Sequence, residues 1–375
     1  MPLSLTLPRW YDLHAHMRQG PLLKPMLAAH EAMGCRGLLA MPNTKPPVAK
    51  VFRDDPLSYW SIEEYRDQML AAGGDVFEDI LIPLYLTKDT TPAMIEAGAK
   101  AGLLRAAKYY PPHGTTGADF GHPFAEYFNN GVFQALADHG VVLCIHGEQH
   151  GLEAEAYFDQ NRNAEAAFYK NQMPRLIEQV PTLRVVGEHI TTALAAEFIE
   201  AAPDNVAATI TPQHLMYTVG HLLKGCNYHL YCLPLVKYDT DRAALRAAAT
   251  DPSNTKFFAG TDSAPHTTKV TPCGCAAGCF TGYIAPQLYA EAFEMAGSDL
   301  ADAQNRTAFE QFLCLNGPAF YGLPSTEARF TLTRQPQQVI PVPVPGAPAG
   351  EDVVTPLPLG LGSDHIPWSI ETTSQ

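Results

Sequence analysis

The stretch that decides the fold reads YDLHAH and runs from Tyr11 to His16. Two histidines, His14 and His16, close this stretch two positions apart. Side chains at positions i and i+2 lie on the same face of a strand, so both imidazoles can point at one metal ion. The stretch therefore predicts a β-strand whose carboxyl end carries metal ligands.

Short apolar runs of similar length recur along the chain, with stretches of helical character between them, one of which is the predicted helix Phe124–His139. The run Val141–Ile145 is continuously apolar, as expected for a strand buried on both faces of a parallel sheet. Alternation of strand and helix predicts parallel pairing with right-handed crossovers. Eight strands are predicted: Tyr11–His16, Gly37–Met41, Ile80–Leu86, Leu104–Tyr109, Val141–His146, Arg184–His189, Val206–Ile210 and Phe257–Asp262.

Eight repeats favour closure into a (β/α)8 TIM barrel of the α/β class over an open sheet. A Gly-x-Gly-x-x-Gly motif does not follow any predicted strand, which disfavours a dinucleotide-binding fold. We expect residues 1–325 to form the catalytic barrel. The proline-rich residues 326–375 are expected to form a C-terminal extension packed on the barrel, without a core of its own.

Composition narrows the class of protein. The 375 residues are 46% hydrophobic and 17% charged, which is typical of a globular protein with a large core. The net charge of −14 disfavours nucleic acid and anionic membranes as partners. Without a long apolar run or an export signal, we expect a cytoplasmic protein whose eight cysteines are reduced.

Residues that can bind metal stand at the ends of five predicted strands. The carboxyl ends of barrel strands converge on one rim, where barrel enzymes place their active sites. Imidazole and carboxylate ligands suit a catalytic zinc ion. Each residue alone has an ordinary structural explanation, but the joint pattern favours a metal site. The set is His14, His16, Lys108, His146, His189 and Asp262.

Lysine is an unusual member of this set. If the site holds two metal dications, they would repel the protonated ammonium group of a lysine. After reaction with CO2, Lys108 would carry an anionic carbamate able to bridge two metals, which the chemistry permits but does not require. His214 can be read as a further ligand or as a donor to a ligand. The cysteines Cys273, Cys275 and Cys279 suggest a structural metal knuckle, although reduced loop cysteines are the favoured interpretation.

Several blocks of sequence resemble a known family when they are taken together. Between about residues 10 and 325 the chain is similar to the shorter, homodimeric bacterial dihydroorotases of the amidohydrolase superfamily. The run Cys275–Cys279 contains one alanine more than the family pattern. The blocks are Asp12–Arg18, Met41–Thr44, Ala107–Pro111, His146–Glu148, Glu188–Thr192, Ala208–Leu215, His229–Pro234, Gly260–His266 and Asn316–Gly322.

The resemblance implies a role for each matching residue. His14, His16 and Asp262 would bind one Zn²⁺, His146 and His189 a second, and an N-carboxylated Lys108 would bridge the two. Thr115 and Thr116 would belong to a loop that closes over the substrate. The implied substrate contacts are Arg18, Asn43, His146, Leu233, His266 and Ala276.

The resemblance also implies a reaction, the reversible cyclisation of N-carbamoyl-L-aspartate to dihydroorotate in pyrimidine biosynthesis. A bridging hydroxide would attack the ring carbonyl in the hydrolytic direction, and Asp262 would transfer its proton to the leaving nitrogen. Two alternatives stay open. One is another cyclic amidohydrolase, such as a hydantoinase, which usually carries an extra β-rich segment built from both chain ends. The other is an inactive assembly subunit, which typically lacks metal ligands.

Overall fold

The computed structural model describes residues 2–272 and 274–372. In this part of the chain, parallel strands form a closed (β/α)8 barrel, and only the third strand is interrupted. The barrel strands are Trp10–Ala15, Cys35–Ala40, Asp79–Leu81 continued by Leu84–Tyr85, Ala106–Tyr109, Val142–His146, Val185–Glu188, Val206–Ile210 and Phe257–Ala259.

The barrel closes between its first and eighth strands at the rim. The amide of Asp262 donates to the His14 carbonyl at 2.8 Å, and the amide of His16 donates to the Ser263 carbonyl at 3.0 Å. A parallel bridge between Ala15 and Ser263 accompanies these bonds. Closure therefore places the ends of the first and eighth strands side by side.

The predicted strands differ from the observed ones in two informative places. The prediction of one continuous strand over Ile80–Leu86 is wrong, because Pro83 interrupts it. Proline has no amide hydrogen to donate, so the half before it pairs with the second strand and the half after it with the fourth. The eighth strand ends at Ala259 and not at Asp262, whose φ of 48° is incompatible with a strand.

Helices cover the outside of the barrel. The predicted helix Phe124–His139 is divided into a 3₁₀ turn, Phe124–Phe128, and an α-helix, Val132–Asp138, with Gly131 at a φ of 78° between them. The principal α-helices are Leu23–Ala32, Ile62–Ala71, Pro92–Lys100, Val132–Asp138, Ala164–Asn171, Met173–Gln179, Ala193–Ala201, Asp239–Thr250, Ala285–Met295, Ala303–Glu310 and Asn316–Tyr321. Among the described residues, no helix combines the length and apolarity needed to cross a bilayer.

Both ends of the chain meet in a small antiparallel sheet. Its central strand, Arg329–Thr333, pairs with Ser4–Pro8 on one side and Ser369–Thr372 on the other. Buried side chains of this region, such as Phe330 and Trp368, belong to the same apolar cluster as the barrel helices. The boundary expected between residues 325 and 326 stays a prediction.

A separate apolar cluster fills the interior of the barrel and supports the site above it. It stacks side chains from the strands, including Ala106, Cys144 and Val186, and Tyr321 and Leu323 from the last helix and its exit extend it. Two residues further along these strands come Lys108, His146 and Glu188, which share the inward face because the side-chain period is two. The packed core thus forms the floor of a polar chamber.

Candidate active site

A β-bulge aims the two histidines of the first strand into the barrel. Three residue steps, from Asp12 to Ala15, oppose two steps on the second strand, from Leu38 to Ala40. Strict alternation would place His14 on the face opposite to Leu13, which lies in the interior cluster. The extra residue shifts the phase, so that the His14 ring meets the inward-facing Glu188.

Each of these histidines is oriented through its Nδ1 atom. His14 Nδ1 lies 2.7 Å from Glu188 Oε2, and His16 Nδ1 lies 2.8 Å from Asn43 Oδ1. An Nδ1–H that donates to these oxygens leaves the Nε2 lone pair of each ring available to a metal. The Nε2 atoms lie 3.4 Å and 2.9 Å from Asp262 Oδ1, respectively.

Two of the candidate ligands stand on strained backbone just beyond their strands. His189 has a φ of 41° and Asp262 a φ of 48°, a left-handed conformation that is uncommon for residues other than glycine. Buried carboxylates hold both turns. Asp12 accepts from the amide and hydroxyl of Thr261, next to Asp262. Tertiary contacts therefore sustain a conformation that local preference disfavours.

Glu165 stabilises the turn after His189 in the same way, by accepting hydrogen bonds from it. Its carboxylate accepts hydrogen bonds from the amide and hydroxyl of Thr191, at 2.9 and 2.5 Å, and from those of Thr192, at 2.9 and 2.8 Å. Thr209 also contributes, because its hydroxyl accepts from the His189 amide at 2.7 Å and donates to Glu188 at 2.7 Å. These bonds define the position of the His189 backbone.

The lysine of the site is buried and lacks a hydrogen-bond partner. Lys108 has 0% exposure, and no described residue hydrogen-bonds its Nζ, which lies 5.1 Å from the centre of the Tyr110 ring. Burial lowers the pKa of this amine. A lysine that loses its proton more readily than usual, in a polar chamber, has the chemistry needed to react with CO2.

The donor atoms fit a metal ion. One ligand atom from each of His14, His189 and Asp262 lies within 4.8 Å of the others, and all three residues are buried. His14 Nε2 and His189 Nδ1 are buried without hydrogen-bond partners among the described residues. Burial lowers the pKa of both imidazoles, which favours the neutral form that binds metal.

Two further predicted ligands, His16 and His146, lie next to this group. The His146 ring centre lies 4.8 Å from that of His189, and its Nε2 lies 2.8 Å from Glu148 Oε2, which leaves its Nδ1 for a metal.

Burial raises the pKa of Asp262, but the hydrogen bond with His16 and the nearby His14 outweigh this effect and lower it overall. The carboxyl group is therefore an anion at neutral pH.

A cavity of about 390 Å³ opens beside His16 and is lined by several of the predicted substrate residues, including Arg18, Asn43 and His266. Arg18 Nη2 lies 3.1 Å from His266 Nε2, and Arg18 Nε donates to the Pro265 carbonyl at 3.2 Å. Asn43 donates to the Thr116 carbonyl at 2.8 Å, which ties the predicted loop to the cavity wall.

A smaller recess leads from this cavity towards Asp262. Thr115, Thr116 and Leu233 line it, together with Ala277. The structure does not bring Ala276 to this wall, because its carbonyl accepts from the Lys269 ammonium. Ala277 lines the recess at the place where the resemblance implied Ala276, and the substrate contact of this run stays a prediction.

Two weaker hypotheses from the sequence concern His214 and the loop cysteines. His214 has both ring nitrogens engaged, with Thr211 at 2.8 Å and the Pro234 carbonyl at 3.1 Å, so it does not present a free ligand atom. Cys275 and Cys279 are free thiols among the described residues, whereas Cys273 lies outside them. The metal knuckle, which would need Cys273, therefore stays a hypothesis.

Sequence reasoning missed the carboxylates behind the ligands. Glu188 ends the sixth strand immediately before His189, and Glu148 follows His146 by two positions, so their spacing was a usable signal. Glu165 lies on a helix 24 positions before His189 in the numbering, and periodicity alone does not connect the two. Its partnership depends on how the helix packs.

Comparison with known proteins bears on the family. The chain is 40% identical to the dihydroorotase of Pseudomonas savastanoi pv. phaseolicola over 372 residues, which are 98% of each chain. The structure of dihydroorotase from Saccharomyces cerevisiae in complex with 5-fluoroorotic acid covers 99% of both chains at 24% identity, with a TM-score of 0.84. An L-hydantoinase from Arthrobacter aurescens has a TM-score of 0.69 at 14% identity, covering 99% of this chain and 85% of its own.

The two structural likenesses show the barrel fold alone, since both lie below the identity at which more can be carried over. No family model matches the sequence. The curated relative is decisive, because its similarity extends over nearly the whole of both chains and therefore includes every strand end that supplies the site. The chain belongs to the dihydroorotase family.

Proposed function

We propose that this protein is a dihydroorotase that interconverts N-carbamoyl-L-aspartate and (S)-dihydroorotate plus water in pyrimidine biosynthesis. The observation that carries the proposal is the buried group of His14, His189 and Asp262, with ligand atoms within 4.8 Å of one another. Beside it lies a cavity walled by Arg18 and His266, which suits a small anionic substrate. We further propose that the protein works in the cytoplasm as a homodimer.

The proposed cofactor is a pair of Zn²⁺ ions bridged by N-carboxylated Lys108. His14, His16 and Asp262 would hold one ion, and His146 and His189 the other. Bound zinc would lower the pKa of a bridging water and polarise the ring carbonyl. The orphaned atoms His14 Nε2, His189 Nδ1 and Lys108 Nζ support this assignment, because buried polar atoms normally have partners.

Asp262 is the proposed general acid and base. Its carboxylate is buried, anionic and next to His16, so it can accept a proton on the hydrolytic path and return it to the departing ring nitrogen. Its Oδ1 lies 2.9 Å from His16 Nε2 and 3.4 Å from His14 Nε2, so the carboxylate is beside both proposed ligands. The same residue thus holds both metal-binding and proton-transfer roles.

The substrate carboxylate is proposed to bind to Arg18, Asn43 and His266. The guanidinium of Arg18 is a planar fork that matches a carboxylate, and its contacts with Pro265 and His266 fix its direction. Burial and the charge of Arg18 lower the pKa of His266 to about 3, so this ring is neutral at physiological pH. The positive charge at the carboxylate end therefore comes from Arg18.

A hydantoinase is the main rival. Hydantoinases usually carry a β-rich segment built from both chain ends, and this chain has a small sheet of that kind, so this feature does not separate the two families. The discriminating feature is the arginine-lined cavity, since hydantoin has no carboxylate. Turnover of dihydroorotate, hydantoin and allantoin by the zinc-loaded protein tests the choice. We expect a preference for dihydroorotate that falls sharply in Arg18→Met, and comparable rates on all three would refute the proposal.

An inactive assembly subunit is the second rival. Every ligand predicted from the sequence lies in the described part of the chain, and all six are buried. Zinc analysis combined with the same turnover assay separates the two hypotheses. A protein that binds zinc but leaves dihydroorotate unchanged would favour the subunit.

A further inference from the structure

A lysine outside the metal site holds together the loop that walls the substrate cavity. Lys269 follows His266 by three positions and is 7% exposed. Its ammonium group donates to three backbone carbonyls, those of Tyr231 at 3.0 Å, Ala276 at 2.6 Å and Gly278 at 2.6 Å. An ammonium has three hydrogens to donate, so this side chain is saturated by backbone oxygens.

The three carbonyls belong to the two segments that approach the substrate recess. Tyr231 precedes Leu233 by two positions, while Ala276 and Gly278 flank Ala277. The Gly278 amide donates to the Tyr231 carbonyl at 2.9 Å, and the Ala276 amide donates to the Lys269 carbonyl at 2.8 Å. Lys269 therefore joins both segments at one point, beside these two backbone hydrogen bonds.

This arrangement sets the direction of the Ala277 peptide. Because the carbonyls on either side of it turn towards Lys269, the Ala277 carbonyl is left to face the cavity wall. Its oxygen lies 2.8 Å from His266 Nε2 and 3.5 Å from Thr116 Oγ1. The Ala277 carbonyl thus accepts from His266 Nε2–H, which links Lys269 to His266 through this peptide. Arg18 Nη2 packs 3.1 Å from the same nitrogen, a contact that is not a hydrogen bond because Nε2 already carries the donated hydrogen.

Packing at Gly278 shows how closely the loop is fitted. Gly278 has a φ of 145°, and a Cβ atom there would lie 2.7 Å from Ala264 Cβ and 3.0 Å from His266 Nε2. A side chain at this position would therefore push the loop away from His266. The close approach of this backbone to His266 requires a fixed loop shape, which the three carbonyl contacts provide.

We propose that Lys269 is a positioning residue that holds the Ala277 peptide, and through it His266 and Arg18, in the geometry that binds the substrate carboxylate. The inference rests on the proposed dihydroorotase function for its substrate. Lys269 itself does not line the cavity. Because the residues that it positions bind the substrate carboxylate, we expect its effect on substrate binding and not on the chemical step.

The test compares Lys269→Met and Lys269→Gln with the wild-type enzyme, all loaded with zinc. Lys256→Met is the matched control, because Lys256 also donates to backbone carbonyls, including those of Ile199 at 3.2 Å and Glu200 at 3.3 Å. Lys256 precedes the eighth strand and so lies at the end of the barrel opposite to the site. Steady-state kinetics with dihydroorotate, calorimetric binding of 5-fluoroorotic acid and zinc content are the measurements.

We expect Lys269→Met to raise KM about 10- to 100-fold, since small displacements of binding groups have effects of this size. The dissociation constant of 5-fluoroorotic acid should rise in parallel, while kcat changes less than about threefold and zinc content is unchanged. Glutamine retains two donors, so Lys269→Gln should lie between methionine and wild type. Lys256→Met should leave KM unchanged.

Two results would overturn the inference. One is a Lys269→Met enzyme whose KM and ligand affinity equal those of the wild type, and the other is a fall in kcat or zinc content without a change in KM. If Lys269→Met does not fold, Lys269→Gln decides by the same criteria. Failure of the proposed function is distinguishable, because then the wild-type enzyme itself would not turn over dihydroorotate.

Discussion

Glu165 offers the sharpest test of how this barrel supports its metal ligands. The residue is 1% exposed, and it accepts hydrogen bonds from both amides and both hydroxyls of Thr191 and Thr192. It does not approach the substrate cavity. We predict that Glu165→Ala lowers both the free energy of unfolding and the affinity for zinc at His189.

The magnitude follows from the lost bonds. Each hydrogen bond to a charged group contributes about 1.5–3 kcal/mol, but the buried carboxylate also carries a desolvation cost that its removal relieves. Burial raises the pKa of Glu165 in spite of the threonine donors, which shows that this cost is present. We therefore expect Glu165→Ala to lose about 3–5 kcal/mol, and Glu165→Gln, which keeps one acceptor oxygen, about 1–2 kcal/mol.

Urea unfolding and zinc titration of the metal-free protein measure the two effects. Asn254→Ala is the control, because Asn254 is also buried and accepts from backbone amides, those of Lys256 at 2.9 Å and Phe257 at 2.8 Å, at the end of the barrel opposite to the site. The control should lose stability without losing zinc affinity. Unchanged stability in Glu165→Ala, or an equal loss of zinc affinity in Asn254→Ala, would refute the reasoning.

Three further predictions test the chemistry and the cavity. Asp262→Ala should keep part of its zinc, shown by metal analysis, yet lose roughly 10³-fold or more in kcat, because the proton acceptor is gone; near-normal turnover contradicts that role. The pKa of His266 is about 3 in the folded protein and about 6.5 in the unfolded chain. As the pH falls below 6.5, its imidazole therefore gains a proton in the unfolded chain but not in the folded protein. Stability should therefore decline there by up to about 1.4 kcal/mol per pH unit, and His266→Gln should flatten this slope in urea unfolding at pH 5.5 and 7.5; identical slopes argue against the lowered pKa. Ala277→Val should raise KM for dihydroorotate more than Ala276→Val, since only Ala277 lines the recess; the reverse order would restore Ala276 as the substrate contact.

Much of the barrel could be predicted because it depends on local pattern. Val206–Ile210 was predicted with its observed bounds, since a continuous apolar run between polar turns has one favourable placement. The interruption at Pro83 was also readable in principle, because a missing amide hydrogen is a property of the residue itself. The division of the predicted helix Phe124–His139 depends on the turn that Gly131 makes within it.

The candidate ligands could likewise be read from residues at strand ends, and their role as metal ligands stays a prediction. The partners of those ligands could not. Glu165 and Lys269 act through contacts with backbone that lies far from them in the chain or in a loop without periodicity. The His14 side chain faces the barrel interior because of a β-bulge. Strict alternation after the inward-facing Leu13 would predict that His14 faces outwards.

By itself, the sequence determined the repeat of strand and helix, the closure into a barrel, and the residues able to bind metal at its rim. These depend on hydrophobic period and residue chemistry, which each short segment carries with it. Only the tertiary structure decided the phase of the first strand, the left-handed turns at His189 and Asp262, and the placement of Ala277 at the wall of the recess. The physical reason is that buried carboxylates and an ammonium, brought together by packing, stabilise backbone conformations that the local sequence does not favour.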